Sequence, residues 1–70
     1  METIYVALRG EGVDVWRPVE ATNEGGLAFR ISDIEAPLVG EDWEFAPGTR
    51  VRREWRDLSG ERALVAVAAP

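Results

Sequence analysis

The chain contains no cysteine, no histidine and no lysine, and each absence removes a class of chemistry. Without cysteine there is no disulfide framework and no thiolate metal site. Without histidine as well, the Ser-His and Cys-His pairs are excluded, and lysine-based covalent chemistry goes with them. The only serine hydroxyls, Ser32 and Ser59, sit at cap or turn positions where serine is ordinary. Paired carboxylates remain, Glu11 with Asp14 and Glu41-Asp42 with Glu44, and they read as solvated loop acids. No catalytic site is expected. Only oxygen ligands are left for a metal, and Glu41-Asp42-Trp43-Glu44 lacks the acid spacing and central glycine of a calcium loop. No metal or other cofactor is expected. Long apolar runs are also missing: Ile4 to Leu8 is strand-sized, with no basic stretch before it. A cytoplasmic protein with no signal peptide and no membrane span is expected.

Two tryptophan-centred, proline-punctuated segments stand out. They are Val13-Asp14-Val15-Trp16-Arg17-Pro18-Val19-Glu20-Ala21 and Asp42-Trp43-Glu44-Phe45-Ala46-Pro47-Gly48. A chain of 70 residues makes a single domain, 1–70, that buries only ~60% of its unfolded surface. Its stability is on the order of 4–10 kcal/mol by the usual per-residue range. With no covalent staple, the three tryptophans, Tyr5, Phe29 and Phe45 become structural assets. The net charge of −5 is unevenly spread: Arg50 to Arg56 holds four arginines and one glutamate, +3, leaving −8 for the rest. An acidic body repels nucleic acid over most of its surface, while one arginine-rich strand attracts anions.

Period-two alternation organises most of the chain. Thr3 to Arg9 reads as a strand with Ile4, Val6 and Leu8 on one face, followed by a Gly10-Glu11-Gly12 turn. The second strand, Val13 to Ala21, sets Val13, Val15, Arg17 and Val19 against Asp14, Trp16, Pro18 and Glu20. Pro18 cannot donate to a ladder, so the strand is an edge there or carries a bulge. After Thr22-Asn23-Glu24-Gly25-Gly26, Leu27, Phe29 and Ile31 alternate as a third strand. The pattern lapses between Ser32 and Glu41. There Ser32-Asp33-Ile34-Glu35 resembles a capping box that Pro37 stops within about a turn. A short strand from Trp43 to Ala46 leads to the Pro47-Gly48 turn. Thr49 to Leu58 is the longest strand, Ser59-Gly60-Glu61 a hairpin, and Arg62 to Ala68 an apolar strand suited to cover on both faces.

Five or six short strands in this order predict an all-β fold, an antiparallel meander closed into a small barrel so that few edges are exposed. The expected core is Ile4, Val6, Leu8, Val13, Val15, Leu27, Phe29, Ile31, Phe45, Val51, Val65 and Val67. The order of hairpin, irregular loop, Pro-Gly turn, long strand, tight hairpin and final strand resembles SH3-like barrels. The whole chain also resembles a family of small bacterial proteins with no assigned function. That resemblance rests on Tyr5-Val6, Glu11 to Ala21, Phe29-Arg30-Ile31, Trp43 to Gly48 and the hairpin Leu58 to Glu61. It implies a fold and a bacterial setting and lends no activity. Phe29 stands where the family tends to carry tyrosine.

Two binding chemistries fit the residues. Trp16 and Trp43, with Glu41, Asp42 and Glu44 around them, suit an aromatic groove whose acidic rim selects a basic peptide or protein. The competing place for both indoles is the core; it is the better place for Trp16, among valines, and Trp43 suits either equally. Arg17 belongs over an aromatic ring or beside Glu11, Asp14 or Glu20. The alternative is a nucleic-acid face of Arg50, Arg52, Trp55 and Arg56, with arginines on phosphates and the indole on a base. Pairing of those arginines with Glu54, Glu44 or Glu61 competes with it. A non-enzymatic protein- or peptide-binding module is therefore the leading expectation, as a monomer or weak homodimer.

Overall fold

A computed structural model describes residues 1–11, 15–34 and 36–69. Five strands follow one another as β1 (Glu2–Leu8), β2 (Val15–Asn23), β3 (Ala28–Ile31), β4 (Arg50–Leu58) and β5 (Glu61–Ala68). They form a closed barrel in sequence order, and no helix occurs among the described residues. This is the expected all-β, SH3-like meander. An odd number of strands in a meander leaves the first and last running the same way. The closing seam is accordingly parallel, with Tyr5 opposite Val65, and every other pairing is antiparallel.

The β1–β2 register runs unbroken from Glu2 opposite Ala21 to Leu8 opposite Val15, so β2 carries no bulge at Pro18. Pro18 is instead an edge position. The Glu20 carbonyl accepts from Ser32 N–H, pointing away from β1, and alternation turns Pro18 the same way. Its missing N–H therefore faces a side where β3 does not reach, since β3 pairs only with Ala21 to Asn23.

The barrel interior holds Ile4, Val6, Val19, Ala21, Phe29, Ile31, Trp43, Val51 and Ala66, with Leu8, Phe45 and Leu64 packed against them. Each large side chain buried here contributes about 1.5–3 kcal/mol of transfer free energy. Val65 and Ala66 are both buried, and alternation puts them on opposite sides of β5. The last strand is thus covered on both faces, as its continuous apolar run predicts.

The structure departs from the sequence pattern at several positions. Leu27 is 66% exposed rather than in the core. It lies in a turn closed by Ala28 N–H to Gly25 C=O at 3.1 Å, so inward alternation starts only at Phe29. Val15 and Val67 are half-buried, and Val13 lies outside the described residues. The short strand from Trp43 to Ala46 reduces to a single bridge, Trp43 opposite Leu8. Pro47-Gly48 ends it too soon for a ladder, in a turn closed by Thr49 N–H to Ala46 C=O. Of the capping-box segment, Asp33-Ile34 forms a turn in which Ser32 Oγ accepts from Ile34 N–H at 3.4 Å. Glu35 lies outside the described residues.

Candidate interaction surfaces

The long connection between β3 and β4 carries five carboxylates (Asp33, Glu35, Glu41, Asp42, Glu44) and no arginine. It is held by side chains rather than by a ladder. Trp43 enters the core, 5% exposed, and its bridge to Leu8 is flanked by Arg9 N–H to Asp42 C=O at 2.7 Å and Glu44 N–H to Ala7 C=O at 2.8 Å. These bonds occupy the far end of β1, beyond Tyr5, where β5 no longer pairs. The buried indole still needs an acceptor. Glu41 Oε1 supplies it at 3.1 Å, and the same oxygen accepts from Leu38 N–H at 3.0 Å.

Those two bonds build a pedestal. Leu38-Val39-Gly40-Glu41 is a turn closed by Glu41 N–H to Leu38 C=O at 2.9 Å. Gly40 has φ of +88°, the left-handed geometry required at the third position of a type II turn. The Leu38 amide, the Trp43 indole N–H and, less strongly, the Arg17 charge hold the Glu41 carboxyl below its usual pKa. Val39 stands fully exposed at the tip with the adjacent Leu38, and Ile34, five residues earlier, is exposed as well. Asp42 pairs with Arg9 at 2.9 Å, and Glu44 is exposed.

The expected aromatic-acidic residues therefore take different parts. Trp43 and Glu41 support the loop, while Asp42 and Glu44 lie on its surface. Trp16 stands on the outer side of β2, half-buried, while Val15, Arg17 and Val19 share the inner side with Leu8, Val6 and Ile4. It lines a crevice of about 170 Å³ with Arg56, Asp57, Leu58 and Ser59. Among the described residues, the buried Arg17 Nε has no hydrogen-bond partner.

The arginine-rich strand divides by alternation. Arg50, Arg52, Glu54 and Arg56 share one side of β4, and Val51, Arg53, Trp55 and Asp57 the other. Arg50 and Arg52 border a cleft of about 350 Å³ with Gly25, Leu27, Ala28 and Ala69. Arg50 lies 4.0 Å from Glu24, which accepts a 2.6 Å hydrogen bond from Arg30. That bond, aided by both cationic charges, lowers the Glu24 pKa. Arg56 pairs with Glu54 at 3.1 Å. On the other side, Arg53 donates to Glu2 and lies 4.4 Å from the Phe29 ring centre. Trp55 is 58% exposed, with the Arg62 guanidinium 5.5 Å from its ring. The indole and the three exposed arginines expected beside it thus lie on opposite sides of the strand.

The apolar tip Leu38-Val39 is absent from the residues singled out by pattern, because the segment has no periodicity. The available signal was two adjacent large aliphatic residues in an acidic segment, bounded by Pro37 and Gly40. Compared with protein-family models, curated proteins and solved structures, the chain matches none of them.

Proposed function

We propose that this chain is a non-enzymatic interaction module that receives a basic, apolar protein or peptide segment on the 32–49 loop. The carrying observation is the turn Leu38–Glu41, which presents exposed Leu38 and Val39 while Glu41 ties it to the buried Trp43. Exposed aliphatic side chains grouped in one loop favour a partner surface over solvent. Holding them in one conformation before binding reduces the ordering cost of association. The surrounding carboxylates select a cationic partner and raise its rate of encounter. In this reading Trp43 and Glu41 are the support, and Asp42 and Glu44 the acidic rim. The resemblance to small bacterial proteins adds a bacterial, cytoplasmic setting to the reading and no activity.

Selection from a displayed random-peptide library tests it, with wild type and Val39→Asp as parallel baits. Wild type is expected to enrich peptides with Lys or Arg beside Leu, Ile or Phe. Val39→Asp is expected to lose their binding by more than about tenfold, a 1.4 kcal/mol effect, with an unchanged melting midpoint. Equal enrichment on both baits, or none on wild type, overturns the proposal. So does a low-salt electrophoretic shift of single-stranded oligonucleotide abolished by Arg52→Glu, which moves the function to β4.

A further inference from the structure

Among the described residues, the pairing of β4 leaves an unused edge. β3 reaches only as far as Ala28 opposite Arg52, whereas β4 continues to Leu58. The direction of its backbone groups follows from two observations. Thr49 C=O accepts from Ile31 N–H on the β3 side, and Leu58 opposite Glu61 closes a two-residue hairpin on the β5 side. Alternation then turns the amides and carbonyls of Arg53, Trp55 and Asp57 to the side that β3 has left. No backbone partner for these groups exists among the described residues. Glu54, Trp55, Arg56 and Asp57 are all exposed along this stretch. Exposed strand edges template the addition of another strand, and the β2 edge is blunted where Pro18 lacks its N–H.

The residues on this edge are self-complementary. Arg53-Glu54-Trp55-Arg56-Asp57 reads as cation, anion, indole, cation, anion, so a second copy running antiparallel about Trp55 meets opposite charges throughout. We propose that two copies of this chain pair along the free edge of β4, about a two-fold axis through Trp55. Arg53 then faces the second copy's Asp57, Glu54 faces the second copy's Arg56, and the two indoles are opposite one another. The Arg53, Trp55 and Asp57 positions become hydrogen-bonded pairs, each exchanging two backbone bonds. The symmetry makes the interface isologous and closed, so pairing stops at a dimer.

Register is specified by repulsion as well as attraction. A slip that keeps the faces aligned sets Glu54 against Glu54 of the other copy, or Arg56 against Arg56, and directly opposed like charges are destabilising. A slip of one residue inverts the faces. The in-chain Glu54–Arg56 pair at 3.1 Å and the Arg53–Glu2 pair are compatible with the arrangement, since a carboxylate accepts from more than one guanidinium and a guanidinium carries five donors. The surface is small, so the dimer is weak, with a dissociation constant on the order of 100 µM.

Charge reversal tests it on outward-facing residues. Sedimentation equilibrium of the full chain, from about 10 µM to about 1 mM, is run on wild type, Arg56→Glu and the double variant Glu54→Arg/Arg56→Glu. Wild type is expected to dimerise, and Arg56→Glu, which opposes glutamates twice by symmetry, to weaken the dimer by more than about tenfold. The double variant is expected to recover wild-type affinity within about threefold, because both cross-copy pairs are restored with reversed sign. Circular dichroism confirms that all three remain folded. A wild type that stays monomeric to about 1 mM overturns the proposal, as does a folded double variant that fails to recover.

Discussion

The 32–49 loop and the β4–β5 hairpin adjoin in sequence and reach order by opposite means. The hairpin carries five arginines, Arg50, Arg52, Arg53, Arg56 and Arg62, and is held by a continuous ladder from Val51–Ala68 to Leu58–Glu61. The loop carries acids without arginine and is held by the buried Trp43 indole on Glu41, by Phe45 against the core, by the Arg9–Asp42 pair and by a few backbone bonds. In the hairpin, stability is distributed over many equivalent pairs, and the side chains are free to differ. In the loop it rests on a few individual side chains, with Trp43 the largest and most buried of them. The loop is therefore the more sensitive to single substitutions although it contains less regular structure.

Two tryptophans only twelve positions apart separate the two modes of stabilisation most strongly. Trp43→Ala removes a buried ring and leaves a cavity, with an expected loss of about 3–5 kcal/mol. Against a total on the order of 4–10 kcal/mol, that brings the barrel close to unfolding at room temperature. Trp55→Ala removes a ring already mostly in water, and its expected cost is about 1 kcal/mol or less. Urea unfolding followed by far-ultraviolet circular dichroism measures both. Similar midpoints for the two variants contradict the claim that the loop rests most heavily on Trp43.

Glu41 gives a smaller effect with a pH signature. Its folded carboxyl titrates below its unfolded value because the ionised form accepts from the Leu38 amide and the Trp43 indole. A depressed carboxylate stabilises the fold fully above the unfolded pKa and loses that contribution as pH falls through the folded one. Stability is therefore expected to decline below about pH 4.5, and Glu41→Gln to flatten part of that decline. Glu24, lowered by Arg30, contributes in the same direction and remains in the variant. Melting midpoints of wild type and Glu41→Gln between pH 7 and pH 3 give the difference. Identical profiles contradict the pedestal role.

The same contrast explains what was readable from residues alone. Period-two alternation exposed Ile4-Val6, Phe29-Ile31, Val51 and the doubly covered β5, because each inward side chain there follows from the strand's own geometry. Leu27 broke the rule because Gly25-Gly26 carries the chain through a turn that ends one residue later than alternation suggests. Trp43 was undecidable, since its burial depends on β1 leaving a place beside Leu8, a tertiary fact with no local trace. Trp16 went outward despite its valine neighbours because, in a strand, immediate neighbours face the opposite side. The split of Arg50, Arg52 and Arg56 from Trp55 was legible from parity once the strand was assigned.

The smallest expected effect lies at the hairpin tip and tests the distributed side of the comparison. Ser59 has φ of +54° and Gly60 of +91°, so the Leu58–Glu61 connection is a type I′ turn with both central residues left-handed. Serine tolerates that conformation less well than asparagine, whose side chain supports it through local hydrogen bonds. Ser59→Asn creates the Asn-Gly pair favoured for this turn and keeps Gly60 N–H donating to Asp57 Oδ1 at 3.1 Å. The expected gain is about 0.5 kcal/mol, read as a higher urea midpoint with an unchanged slope. The hairpin's remaining cross-strand pairs are untouched, so the gain should add independently to the Glu41→Gln effect in the double variant. A departure from additivity larger than about 0.5 kcal/mol would show that hairpin and loop are energetically coupled, and that their separate modes of stabilisation are one system.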